Sequence, residues 1–279
     1  MASPIGVVAK ETFGPFVEPF RLAGRIGVFS LKALINVPAA LKYRAVILEE
    51  INAVAVGTGA FLIGAGAIIV MIFMTAVLGI QVSLEGTKGL ELIGAEALIG
   101  FVSAFANIRE IAPLGAGMIF AAQIGAQFTA LLGARRVSDE IDALEVMSVP
   151  TMRYLVSTRL IAAYVTVLPL YAIGLYVQLI ATRWTSVNLF DISPGIYDQY
   201  FELYLPREDV IFSVLKVMVF ITLVTFIHCY YGFNVKGGPE DVGHAVGRSV
   251  RLSVTLIFIV NFLLSLVFFG ATDSIRFSG

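Results

Sequence analysis

Arg109 and Glu110 stand side by side inside an otherwise apolar stretch, "FVSAFANIREIAPLGAGMIF". A charge at the centre of a bilayer costs roughly 2.5–3.5 kcal/mol on insertion scales, so such residues are usually paired or face a cavity. Two chemistries suit this pair. One is a structural ion pair near the membrane surface, with Glu96 as a candidate partner. The other is a polar rim on an apolar pocket, where Arg109 meets the carboxylate or phosphate of a head group. Gln123, Gln127 and His228 are also polar residues in apolar surroundings, and each suits a helix–helix hydrogen bond better than a ligand contact.

Little else in the chain offers chemistry. No Gly-Lys dipeptide occurs, which excludes a P-loop. His228 and His244 are too few and too far apart for a zinc-protease motif, and no Ser/His/Asp arrangement is suggested. The single cysteine, Cys229, excludes an internal disulfide and argues against a thiolate metal site. The expectation is a chain that is not an enzyme and binds no metal or cofactor, with no nucleic-acid partner.

The elements that must hold these residues are membrane helices. The chain is 58% hydrophobic with 26 glycines, and its mean hydropathy is +0.89, outside the range of soluble domains. The fold class expected is all-α, a polytopic helical membrane protein. Residues 16–37 read as an amphipathic helix. Phe20, Gly24, Val28, Leu31 and Ile35 share one side, Arg21, Arg25 and Lys32 another, and Pro38 closes it. Such a helix lies in the headgroup plane. Five spans follow, at about Ile51–Ile80, Leu92–Leu132, Thr151–Thr182, Val210–Tyr231 and Ser249–Phe269. The first carries Ala53, Gly57, Ala60 and Gly64, small residues that let helices approach closely. The second is too long for one straight span and is interrupted around Asn107–Pro113, so half of it is expected to be re-entrant or kinked. Pro169 is a candidate kink in the third. The aromatic loop Trp184–Pro206 fits either an interfacial belt or a docking surface for an external partner.

Thirteen of the 19 basic residues, Arg159 among them, fall on one side of this arrangement. The positive-inside rule makes that side cytoplasmic, with the N-terminus inside and the C-terminus external. The same side holds "GARRVSDEIDALEVMSVP", a charged island between apolar runs. Residues 137–148 read as a short helix capped by Ser138, with Asp139 and Glu140 in its first turn. At 100° per residue, Val137, Ile141, Leu144 and Met147 share an apolar side, while Asp142 and Glu145 point elsewhere. The cytoplasmic leaflet is anionic and repels an acidic helix, so a protein partner is the better reading.

The run from Ile108 to Ala162 resembles the central signature of the MlaE/YrbE permease family. The matches fall at Arg109, Glu110 and Pro113, then at Glu140, Ile141, Asp142, Ala143, Leu144 and Met147, with further likeness in "VLGIQ" (Val77–Gln81) and "GHAVGRSV" (Gly243–Val250). The resemblance covers most of the chain. Ala122–Gln123 and Leu131 depart from the family pattern in the manner of actinobacterial YrbE proteins, and the chain resembles the B-type member of such a pair.

The resemblance implies a single permease domain over 1–279, in the plasma (inner) membrane. It implies one subunit of an ABC transporter that moves fatty acid, sterol or phospholipid with MCE (mammalian cell entry) proteins. Expected partners are ABC ATPase subunits carrying ATP and magnesium, a second, paralogous YrbE-type permease, external MCE proteins and the lipid itself. It makes Asp139, Glu140, Ile141, Asp142, Leu144, Glu145 and Met147 the ATPase-coupling residues, and assigns Leu78, Arg109 and Glu110 to a lipid cavity. The alternative from another class is an ion-coupled secondary transporter using Glu96 and Glu110.

Overall fold

The computed structural model describes residues 4–55 and 66–270. Among these the chain is helical, without strands. Nine helical runs follow in order: α1 (Pro4–Ala40), α2 (Arg44–Ala55), α3 (Gly66–Glu91), α4 (Glu96–Val137), α5 (Glu140–Val146), α6 (Met152–Leu189), α7 (Pro194–Leu203), α8 (Arg207–Phe233) and α9 (Pro239–Phe269). Six stretches of 21 residues or more are long and apolar enough to cross a membrane, in α1, α3, α4, α6, α8 and α9.

Several boundaries differ from those the sequence suggests. The expected first span, Ile51–Ile80, lies partly outside the described residues, and α3 continues past Ile80 to Glu91. Gly57, Ala60 and Gly64 lie outside the described residues. α4 is continuous through the interruption expected around Asn107–Pro113. It is one run of 42 residues that absorbs its irregular centre as two π-helical stretches, Ser103–Ile111 and Ala121–Gly125. α6 passes through Pro169 without interruption, and α1 continues two residues past Pro38. A single proline deletes one N–H, and at Pro38 that loss falls in the final turn, where the chain is about to leave the helix anyway.

α3 and α6 form the most extensive helix pairing. It depends on two glycines. A Cβ on Gly79 would collide with the carbonyl oxygen of Gln178, and one on Gly174 would come 3.1 Å from Thr75 Cγ2. Polar side chains finish the seam: Thr182 Oγ1 donates to Gly79 O at 2.9 Å, and Ser83 and Ser186 hydroxyls meet at 2.7 Å. α4, α8 and α9 pack as a second group. His228 sits at its centre, with Nδ1 2.8 Å from Thr129 Oγ1 and Nε2 3.1 Å from Ser253 Oγ. Its ring is as close as 2.8 Å to the place a Cβ on Gly125 would take. This is the helix–helix role expected of His228.

The bundle has two ends. At one, α5 joins α4 to α6, Val242 of α9 packs on Gly133, and Ser157 Oγ donates to Ala33 O of α1 at 2.8 Å. At the other, α7 covers the start of α4. Tyr197 is fully buried there and donates to Ser103 Oγ at 2.8 Å, and Phe201 stacks on Tyr197 at 6.1 Å. Tyr204 meets Phe101 edge-on at 4.8 Å. The loop aromatics therefore divide: Tyr197, Phe201 and Tyr204 hold α7 onto α4, while Trp184, 62% exposed, is free to face lipid.

α1 packs on the start of α6 and borders α8 through two grooves. Arg21, Arg25 and Lys32 line a groove with Tyr230, Phe233 and Asn234 at the end of α8. Leu22, Ile26 and Ser30, on the opposite face, line another with Leu223, Phe226 and Ile227, one to two turns deeper, and with Leu252 and Leu256 of α9. The basic face of α1 thus points to the end of the bundle and the less polar face to its middle.

Candidate functional site

α5 is short, and both of its ends are sharp turns. Asp139 before it and Ser148 after it both adopt left-handed backbone angles, φ 56° and 59°, which turn the chain sharply in and out of the helix. Ser138 does not cap α5. It ends α4, and its hydroxyl donates to Arg135 O at 3.4 Å, while Asp139 takes the N-cap position without a side-chain cap bond. Two arginines in the last turn of α4 hold the acids instead: Arg136 pairs with Asp142, and Arg135 lies 3.6 Å from Glu140. At the other end Thr151 Oγ1 donates to Glu145 Oε1 at 3.3 Å.

The expected apolar side of α5 is only half present. Ile141 is fully buried and Leu144 partly so, which pins the helix to the bundle. Met147 is 65% exposed, because Val146 ends the helix and Met147 already leaves its regular path. Beside it Val146 is 86% exposed, an apolar tip that periodicity did not assign. What α5 offers to a partner is therefore Val146 and Met147, flanked by the exposed acids Asp139, Glu140, Asp142 and Glu145.

Arg109 and Glu110 lie in the first π-helical stretch of α4. Such a segment widens the turn and commonly marks a functional position. Arg109 pairs with Asp209 in the first turn of α8, not with Glu96, and its guanidinium lies 4.2 Å from the ring centre of Phe105 and 4.5 Å from that of Phe269. Glu110 turns to Lys216, 3.0 Å away, and also accepts from Asn261 Nδ2 at 2.7 Å and Ser265 Oγ at 2.6 Å. Lys216 is fully buried and donates to Arg109 O at 2.7 Å. That carbonyl is the one whose regular α-helical donor would be residue 113, and Pro113 has no N–H to give. A lysine on α8 thus supplies the bond that the proline removes.

Leu78 is on the other flank of α4. Its Cδ1 lies 2.5 Å from where a Cβ on Gly115 would sit, so Leu78 and the Arg109–Glu110 pair are served by one helix but face different neighbours. Leu78 is half-buried, and the Glu110 side chain is 36% exposed. Glu96 stands apart, in a pocket at the α7 end with Glu91 and Asp191. Gln123 is exposed and Gln127 half-buried.

A further buried charge pair was not foreseen. Arg159, counted from sequence with the loop charges, is fully buried inside α6 with Nη2 2.8 Å from Glu50 Oε1, and Nη1 donates to Leu155 O at 2.7 Å. Glu50 on α2 is its only carboxylate partner among the described residues. Of the missed partners, Lys216, Asn261 and Ser265 interrupt apolar runs, while Glu50 and Asp209 stand in short charged stretches at the edge of one, and nothing in the sequence says which one meets which.

Comparison with known proteins agrees with this architecture. Residues 56–267 match the family described as permease MlaE. The chain is 29% identical over 246 residues to a "Probable ABC transporter permease protein" of Rickettsia bellii, covering 88% of this chain and 92% of that one. It is 30% identical over 260 residues to a similarly described protein of Synechocystis, covering 93% of each. It is 28% identical over 208 residues to the protein trigalactosyldiacylglycerol 1, chloroplastic, of Arabidopsis thaliana, covering 74% of this chain and 59% of that protein. The family match takes in α3 and nearly all of α9, with α5, Arg109, Glu110, Asp209 and Lys216 between them, and the chain belongs to the MlaE permease family, as a multi-pass ABC transporter permease.

Proposed function

We propose that the chain is one of two permease subunits in an ATP-driven transporter of lipids, working with MCE proteins on the far side of an inner membrane. The observation that carries the coupling part of this reading is α5. It is anchored through Ile141, braced by Arg135 and Arg136, and presents an exposed apolar tip ringed by acids. A rigid knob of this kind transmits force, and it suits a groove on a separate ATPase subunit that binds ATP and magnesium. Motion of α5 acts first on α4, which leads directly into it and carries Arg109 and Glu110 on its π-helical segment.

Lipid cargo is supported by family membership and by the name of the Arabidopsis relative, which is that of a glycolipid. The outer faces of α3 and α9 expose Ile69, Phe73, Phe262 and Val267, a surface fit to meet a second, paralogous permease and to enclose an apolar path. In that arrangement the half-exposed Glu110 and Leu78 reach the path, whereas Arg109 shapes it through Asp209. The α5 end carries the excess of lysine and arginine and is assigned to the cytoplasm. With five spans after α2, the N-terminus is then inside and the C-terminus outside. α1, bordering α8 with its basic face outward, lies in the headgroup plane of the same side. The ion-coupled alternative loses support, since Glu110 is held by Lys216, Asn261 and Ser265.

The test is purification of the tagged chain in mild detergent from its native membrane, with mass spectrometry of proteins and lipids. Recovery with an ATPase, a second permease, MCE proteins and an enriched lipid is the expected result. A chain recovered alone that transports without nucleotide after reconstitution overturns the reading.

A further inference from the structure

The groove between α1 and the end of α8 has a composition that no step of coupling or transport uses. Its volume is about 770 Å³, and it is walled by Arg21, Arg25 and Lys32 on one side and by Tyr230, Phe233 and Asn234 on the other. Arg21 and Arg25 are one helical turn apart and Lys32 lies two turns further on, so all three cations share the face turned to the groove. No carboxylate lines it, and among the described residues none of the three is ion-paired. At the same end Arg135, Arg136 and Arg159, by contrast, each have an acid. The floor is open, for a Cβ on Gly24 would meet nothing within 4 Å.

We infer that this groove binds the phosphate group of an anionic glycerophospholipid from the leaflet on the α5 side, as a resident lipid distinct from the transported cargo. Arg21 and Arg25 offer paired donors to the phosphate oxygens, Lys32 adds a third charge, and the Asn234 amide stands at the rim. Val28, Phe29 and Phe233 give the glycerol and upper acyl chain an apolar wall that free phosphate would not use. A basic pocket between membrane helices on the cytoplasmic side is the expected form of such a site. The bound lipid would tie α1 to α8 and, through Met152 in the same groove, to the segment that follows α5. The inference rests on the headgroup-plane placement of α1 proposed above.

The test uses the full-length chain in nanodiscs of phosphatidylcholine with or without phosphatidylglycerol, read by native mass spectrometry of the lipid retained on the protein. Wild type should retain phosphatidylglycerol in preference to phosphatidylcholine, and millimolar inorganic phosphate should not displace it. Arg21→Ala with Arg25→Ala should lower that preference roughly thirty-fold, at about a tenfold per 1.4 kcal/mol and about 1 kcal/mol per lost charge. Gly24→Leu, which keeps every charge and fills the floor, should lower it too. Equal retention of the two lipids by wild type, or a preference unchanged in both variants, overturns the inference, and displacement by phosphate shows a site for free anion instead. A membrane-impermeant maleimide separates this from the underlying placement. If Lys32→Cys is shielded from the reagent in discs of phosphatidylcholine alone, α1 does not lie at the surface and that placement fails. If it is labelled while the lipid preference is absent, only the lipid site fails.

Discussion

At the scale of single residues, charge inside the bundle is always answered. Arg109 and Asp209 are both more than nine-tenths buried, so removing one partner strands the other in a medium that cannot solvate it. Asp209→Ala is expected to destabilise by about 3 kcal/mol, whereas Arg109→Met with Asp209→Leu, which removes both charges, should recover most of that loss. Thermal unfolding of the detergent-solubilised chain checks this, and an unshifted midpoint for Asp209→Ala would refute the pairing as a stabilising contact. The sequence made Arg109 and Glu110 conspicuous because hydropathy fails there. It could not pair them, since Asp209 and Lys216 are a hundred residues away and their apolar surroundings look alike. It also suggested Glu96 for Arg109, a choice that nearness along the chain favours and the π-helical turn defeats.

At the scale of elements, close packing is written in glycine. Gly79→Ala pushes a methyl into the Gln178 carbonyl of α6 and is expected to cost about 1–3 kcal/mol as overpacking. Gly89→Ala, on the same helix with nothing within 4 Å, should instead gain about 0.5–1 kcal/mol from helix propensity. Opposite shifts of the two variants in one denaturation series are the expected outcome; shifts of the same sign would count against the α3–α6 seam. Apolar length revealed α6, α8 and α9 with modest errors at their ends. The start of α9 was missed because Pro239–Arg248 is polar enough to read as loop, yet its first turn is stabilised by Glu240 and Asp241, and Asp241 Oδ2 accepts from Gly238 N at 3.1 Å. α5 was found by charge against an apolar background. Its exposed tip was not, because Val146 and Met147 leave the helical path on which a 100° count depends.

At the scale of the whole molecule, the proposed arrangement of five spans, with its lopsided charge distribution, gives the two ends opposite uses. Cysteines placed at Glu145 and Glu202 should be labelled by an impermeant maleimide from opposite faces of the membrane, the first only after access to the cytoplasm. The native Cys229 is buried and should stay silent. Labelling of both from outside would reverse or break the assigned sidedness. The general architecture was legible because burying backbone polar groups in lipid leaves helices as the form compatible with such a sequence. What joins the helices was not, because polar networks such as Thr129, His228 and Ser253 are set by tertiary contact.

The central claim is that α5 passes ATP-driven motion into the bundle, and it is tested most directly by changing its tip alone. Val146→Asp with Met147→Asp alters only exposed side chains, so the bundle should fold as before. Pull-down of the tagged double variant from native membranes, quantified by mass spectrometry against wild type, is the measurement. The account predicts a tenfold or greater loss of a co-purifying ATPase with unchanged recovery of the chain itself. An ATPase retained at the wild-type ratio, or absent from both, would contradict it.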